Sequence, residues 1–209
     1  MEQAEAPFCL PLSAPTWRSS PFKWEKVRKG ADDSVAKPLQ YALDFFALAA
    51  VYFLWLRPRW SRRGEKNLAV NTVFYVYLTG VLYVTLMPIL AALPHCFSHP
   101  YVPMQLMPFR DLHHGYGDAE RQIVLNIIMT VPFGLLLPLS RRCAGKKCGF
   151  FRCLLLTAAM SLGIELVQPL LNGARSSDIT DLITNTLGGL LGYGLYLVTR
   201  PLTERFTDK

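Results

Sequence analysis

Residues 123–139 read IVLNIIMTVPFGLLLPL, seventeen positions without a charge. Coiled as an α-helix at 1.5 Å per residue, such a run covers about 26 Å, most of the ~30 Å hydrocarbon layer of a bilayer. It shows no two-residue alternation. Only helices and closed barrels satisfy their own backbone polar groups in lipid, so a helix is the expected form. Four similar runs surround it: 39–56, 69–93, 154–171 and 182–198. Each has the length of a membrane crossing, and soluble core helices are usually shorter and amphipathic. The expected fold is all-α, a polytopic transmembrane helix bundle. The last four runs make a four-helix core, and the first is an additional N-terminal transmembrane helix.

Composition agrees. Hydrophobic residues make up 51% of the 209 positions and charged residues 18%, against ~25% charged in average proteins. The net charge of +7 would suggest nucleic acid in a soluble chain. Here the positive residues cluster between apolar runs, so the bilayer is the expected partner and nucleic acid is not. Loop 57–68 holds Arg57, Arg59, Arg62, Arg63 and Lys66, loop 140–153 holds Arg141, Arg142, Lys146, Lys147 and Arg152, and the tail holds Arg200, Arg205 and Lys209. Loop 94–122 holds only Arg110 and Arg121, and loop 172–181 only Arg175. Basic loops stay in the cytoplasm. The last four runs therefore read as crossings that end with a cytoplasmic C-terminus.

The chain divides by hydropathy into a leader at 1–36, an extra helix and basic loop at 37–68, a membrane domain at 69–199 and a tail at 200–209. The leader lacks an apolar signal core and is expected to be poorly ordered. If run 39–56 spans, six Lys and Arg of residues 1–38 lie outside, against the positive-inside rule. A re-entrant or interfacial placement is the alternative, and the apolar length favours a full span. Asp44 must then face the bundle or sit near a wet end.

Polar residues inside the crossings carry the functional reading. Asn126 lies three residues into its run from the outer side, and Asn185 three residues into the last. Gln168 and Glu165 lie three and six residues from the outer end of the fourth. At 1.5 Å per residue all four sit roughly 5–9 Å below the outer edge of the hydrocarbon. Glu165 and Gln168 are i, i+3 neighbours, as are Asp178 and Asp181, while Asp181 and Asn185 are i, i+4. A buried carboxylate needs a donor or a proton, and Arg110 and Arg175 in the outer loops are the cationic candidates. The expected site is a shared polar pocket open to the outside, formed by Arg110, Asn126, Glu165, Gln168, Arg175, Asp178, Asp181 and Asn185. The plainer reading makes Asp178 a helix cap, Asp181 a first-turn acid, and the amides interhelical glue.

Pro132 falls inside the third run and removes a backbone donor, and Pro88 is expected to do the same in the second. Gly134, and Gly188 and Gly192 with their small-xxx-small spacing, suit close helix packing, either within the chain or in a homodimer through the glycine face. The five cysteines have irregular spacing and read as free thiols, although Cys9 and Cys96 could pair if both face outward. His95, His99, His113 and His114 match no zinc spacing. There is no P-loop, GxSxG or HExxH, so no metal, cofactor or catalytic residue is assigned.

The order Met107-Pro108-Phe109-Arg110, Asn126 to Gly134, Glu165-Leu166-Val167-Gln168, Arg175-Ser176-Ser177-Asp178-Ile179-Thr180-Asp181 and Asn185 to Tyr193 resembles the VanZ-like family from about Tyr75 to Val198. The first 68 residues lie outside the usual core of that family. The resemblance implies a multi-pass protein of the bacterial cytoplasmic membrane. It also implies a link to low-level resistance to the glycopeptide teicoplanin, but no reaction. Its motif positions coincide with the eight pocket candidates. The leading reading is a non-enzymatic pocket for an envelope lipid headgroup or a glycopeptide-type amphiphile. The alternatives are an intramembrane enzyme acting on a lipid-linked substrate, with Glu165 as base, and a small transporter.

Overall fold

The computed structural model describes residues 23–96, 98, 100–115, 117–171 and 177–207. Contacts divide the chain into two units, Met1–Pro38 and Leu39–Lys209. Of the leader, the described part is helical from Lys23 onward. The remainder, with Cys9, lies outside the described residues.

The protein is all-α and multi-pass. Helix α1 (Lys23–Val51) runs through a π-helical turn at Tyr52–Leu56 into α2 (Arg57–Ser61). It is followed by α3 (Glu65–Thr85), the short α4 (Ile89–Ala92) and α5 (Arg110–His114), then α6 (Ala119–Cys143), α7 (Phe150–Leu171) and α8 (Ile179–Thr207). Among the described residues, five stretches are long and apolar enough to cross a membrane: Lys37–Ser61, Glu65–Thr85, Ala119–Cys143, Phe150–Leu171 and Ile179–Leu202.

Burial is inverted relative to a soluble domain. Large apolar side chains point outward, with Leu54 and Phe151 each 80% exposed, while Thr130, Thr157, Ser161 and Ser177 are fully buried. Lipid is as apolar as leucine, so helices associate through small residues and hydrogen bonds. The buried hydroxyls of Thr130, Thr157 and Thr184 are satisfied by the carbonyls of Asn126, Cys153 and Thr180, one turn back. A small apolar core of Phe133, Leu137, Cys153, Tyr193 and Tyr196 fills the bundle toward the other ends of α6 and α8.

Helix α8 packs most extensively on α6. A Cβ on Gly192 would lie 1.9 Å from the Val131 carbonyl oxygen, and one on Gly134 would lie 1.9 Å from that of Gly189. Gly188 approaches Ile127 and Thr130 in the same way, and Gly189 approaches Thr157 of α7. The glycine face is therefore covered within the chain, by α6 and α7. Helix α6 continues through Pro132 and Pro138.

Pro88 differs from expectation. It lies beyond the end of α3 and not inside a helix, because run 69–93 breaks after Thr85 and restarts at Ile89. A residue preceding proline disfavours the helical region. The restart is stabilised from α1, where the Asp44 carboxylate accepts the Ile89 N–H at 2.6 Å and the Leu90 N–H at 2.9 Å. Helix α1 also lies along α3 through ring contacts, with Tyr41 and Phe45 near Tyr83 and Tyr52 stacked on Tyr75. The four described cysteines form no disulfide.

Candidate functional site

The start of α8 organises the site. Asp178 Oδ1 accepts the Thr180 N–H at 2.7 Å, the arrangement of an N-cap that satisfies a helix-end donor. The outer loop lies across this turn. Gln105 N–H donates to the Ser177 carbonyl at 2.8 Å, and the Gln105 carbonyl accepts the Ile179 N–H at 3.0 Å. Phe109 N–H donates to Thr180 Oγ1 at 2.9 Å. Phe109 has φ 56°, a left-handed conformation uncommon for a bulky residue.

Glu165 of α7 closes the turn from below. It is 2% exposed, and its Oε2 accepts the Asp178 N–H at 3.0 Å. The Ser177 hydroxyl donates to the Glu165 main-chain carbonyl. From α6, the Asn126 amide donates to Asp181 Oδ1 at 2.7 Å. From α8, the buried Asn185 donates to Ser161 Oγ at 3.0 Å, and its own Oδ1 is buried without a partner. Asn126, Glu165, Asp178, Asp181 and Asn185 thus hold α6, α7 and α8 together at one end. A shallow cleft opens beside them, lined by Asp111, Gln122, Ile123, Asp178, Thr180 and Asp181.

Of the other expected pocket residues, Gln168 turns to a different neighbour. Gln168 donates to the Thr85 carbonyl at 3.2 Å, so it faces α3 and lines a separate cleft with Tyr41, Tyr83 and Pro88. Spacing of i, i+3 set it on the same broad face as Glu165, but α7 divides that face between two neighbours. Arg110 is exposed on the outer loop. With the Gln105 amide turned so that its oxygen faces the guanidinium, Arg110 donates to it from Nε at 3.2 Å and Nη1 at 2.8 Å. Arg175 lies outside the described residues.

Sequence reasoning did not single out Ser161, Thr180 or Gln105. Ser161 stands one turn before Glu165, and Thr180 stands between two acids, so both were detectable by spacing. It also missed a polar ladder at the opposite end. Asn67 donates to the Trp60 carbonyl at 3.1 Å, Asn71 to Asn67 Oδ1 at 3.0 Å, and Ser140 to Asn71 Oδ1 at 2.6 Å. Among the described residues no three His, Cys, Asp or Glu side chains are placed to share a metal ion.

Residues 74–200, which hold α6, α7 and all but the last turns of α8, match the family model described as VanZ/LLP1. The chain belongs to the VanZ/LLP1 family. Protein VanZ of Enterococcus faecium is 31% identical over 135 residues, covering 64% of this chain and 78% of that protein. No solved structure matches. The match begins within α3, so α1 and α2 lie outside the VanZ/LLP1 region and Asn126 to Asn185 lie inside it.

Proposed function

We propose that this VanZ/LLP1 protein is a non-enzymatic component of a bacterial cytoplasmic membrane that binds an amphiphilic envelope molecule at the α6–α8 end, facing outward, and contributes to glycopeptide resistance of the teicoplanin type. One observation supports the reading: Asp111, Asp178 and Asp181 border a single cleft at the α6–α8 end of the bundle. The cleft measures about 20 Å³, so it would take one hydroxyl or ammonium group of a headgroup resting over it, with apolar chains left in the bilayer. Glu165 and Asn126 act beneath it as positioning residues, holding the Asp178 backbone and the Asp181 side chain. Arg110, one residue from Asp111, supplies positive charge for a phosphate or carboxylate on the same ligand. The basic loops support a cytoplasmic placement of the other end and of the C-terminus.

The test is teicoplanin susceptibility of a sensitive host expressing the full chain. Asp111→Asn with Asp181→Asn should bring the inhibitory concentration back to the vector control at unchanged protein level. Retention of full resistance by that double variant would remove the pocket. No shift from the wild-type chain would remove the resistance role.

A further inference from the structure

A second cleft lies at the opposite end of the bundle, between the end of α6, the α6–α7 loop and the end of α8. It measures about 540 Å³ and is bordered by Arg142, Lys146, Lys147, Tyr196, Leu197 and Arg200. That volume is within the ~300–1,000 Å³ typical of ligand pockets. None of its lining residues is acidic. The loop that carries the two lysines is tied down. Gly145 takes φ 71°, its N–H returns to the Arg142 carbonyl at 2.8 Å, and the Lys146 N–H returns to the Arg141 carbonyl at 2.8 Å. Arg152 donates to the Lys147 carbonyl at 3.3 Å. The floor is aromatic, with the Tyr193 and Tyr196 rings 6.0 Å apart. One wall leads to the lipid-facing side of α8, where Leu197 is 47% and Val198 79% exposed.

We infer that this cleft is a binding site for an anionic phospholipid, its phosphate held among Arg142, Lys146, Lys147 and Arg200 and its acyl chains running along α8 past Leu197. The charge alone would suit any polyanion. The continuity of the basic wall with a lipid-facing apolar wall selects a ligand that is anionic at one end and apolar at the other. Basic pockets between crossing helices recognise anionic headgroups in this way. The site is separate from the acidic cleft and stands whether or not the proposed function does.

Native mass spectrometry of the full-length protein, titrated with phosphatidylglycerol or phosphatidylcholine of equal chain length, tests it. Phosphatidylglycerol should be retained in preference to phosphatidylcholine. Each neutralised cation should lower its affinity by about fivefold. Lys146→Gln with Lys147→Gln, on an exposed loop, should therefore lose on the order of 20-fold, and adding Arg142→Gln and Arg200→Gln should lose more. Arg57→Gln with Arg59→Gln, in α2 of the other basic segment, should change nothing, and neither should Asp181→Asn. Equal losses in both basic segments would mean unspecific charge attraction and overturn the site. Displacement of the lipid by millimolar inorganic phosphate would overturn it in favour of a soluble anion.

Discussion

Asp44 is 3% exposed in the first crossing and takes two main-chain N–H groups of the broken helix that follows α3. An unpaired buried donor costs about 1–3 kcal/mol, and charged acceptors make the stronger bonds. Asp44→Ala orphans both donors and should destabilise the protein by that amount for each. Asp44→Asn keeps one acceptor oxygen and should cost about half as much. Thermal unfolding in detergent reads both, and an unchanged midpoint for the alanine variant would remove this account of the break. The sequence left Asp44 either facing the bundle or near a wet end, and it is buried. Sequence alone did not reveal the partner, because the partner is backbone freed by a break that an unbroken apolar run conceals. Glu165 is the parallel case. Its burial was legible from the cost of a carboxylate in lipid, whereas its acceptance of the Asp178 N–H depends on how the turn into α8 folds over α7. Arg110 was expected beside carboxylates because charge is what a sequence displays. Its contact with Gln105 depends on the path of the outer loop, which no periodicity encodes.

At the scale of elements, the α6–α8 pair is defined by what its glycines leave out. Gly134 and Gly192 each bring backbone against backbone, so a single methyl meets a carbonyl that cannot rotate away. Overpacking costs about 1–3 kcal/mol even where side chains can yield, so Gly192→Ala and Gly134→Ala should cost at least that. Gly163 and Gly194 have nothing within 4 Å of an added Cβ, and alanine there should be neutral or slightly stabilising, since glycine weakens a helix interior by about 1 kcal/mol. Comparing the four unfolding midpoints separates a packing requirement from a general intolerance of α6–α8 to substitution. Small-xxx-small spacing identified α8 as the helix to be approached closely. It could not choose between a helix of the same chain and a second copy, because both present the same geometry. The choice was made by Gly134, whose position on α6 faces Gly189.

Across the whole molecule, hydrogen bonds fix which helix ends share a side. Asn126 with Asp181 joins the starts of α6 and α8, and Gln168 with the Thr85 carbonyl joins the ends of α7 and α3. Ser140 with Asn71 joins the end of α6 to the first half of α3, and Tyr52 with Thr72 joins the π-helical turn after α1 to that same half. The crossings therefore alternate, and loops 57–68 and 140–153 lie at one end with the end of α8. Apolar length made this count of crossings legible beforehand, and the clustering of Lys and Arg made the pairing of loops legible. The proposed orientation, with this basic end in the cytoplasm, rests on the positive-inside rule. Cys96 lies at the acidic-cleft end and Cys148 at the basic end, both partly buried. Variants that retain only one of these thiols should differ in intact cells: a membrane-impermeant maleimide should label Cys96 directly and Cys148 only after permeabilisation. Burial pushes the Cys148 thiol above its ordinary range, although Arg141 and Arg152 pull it back. The thiolate is the reactive form, so labelling of Cys148 in permeabilised cells should be slow near neutral pH and rise about tenfold per pH unit until the raised pKa is reached. Direct labelling of Cys148 in intact cells, with Cys96 protected, would invert the protein in the membrane and turn the acidic cleft toward the cytoplasm.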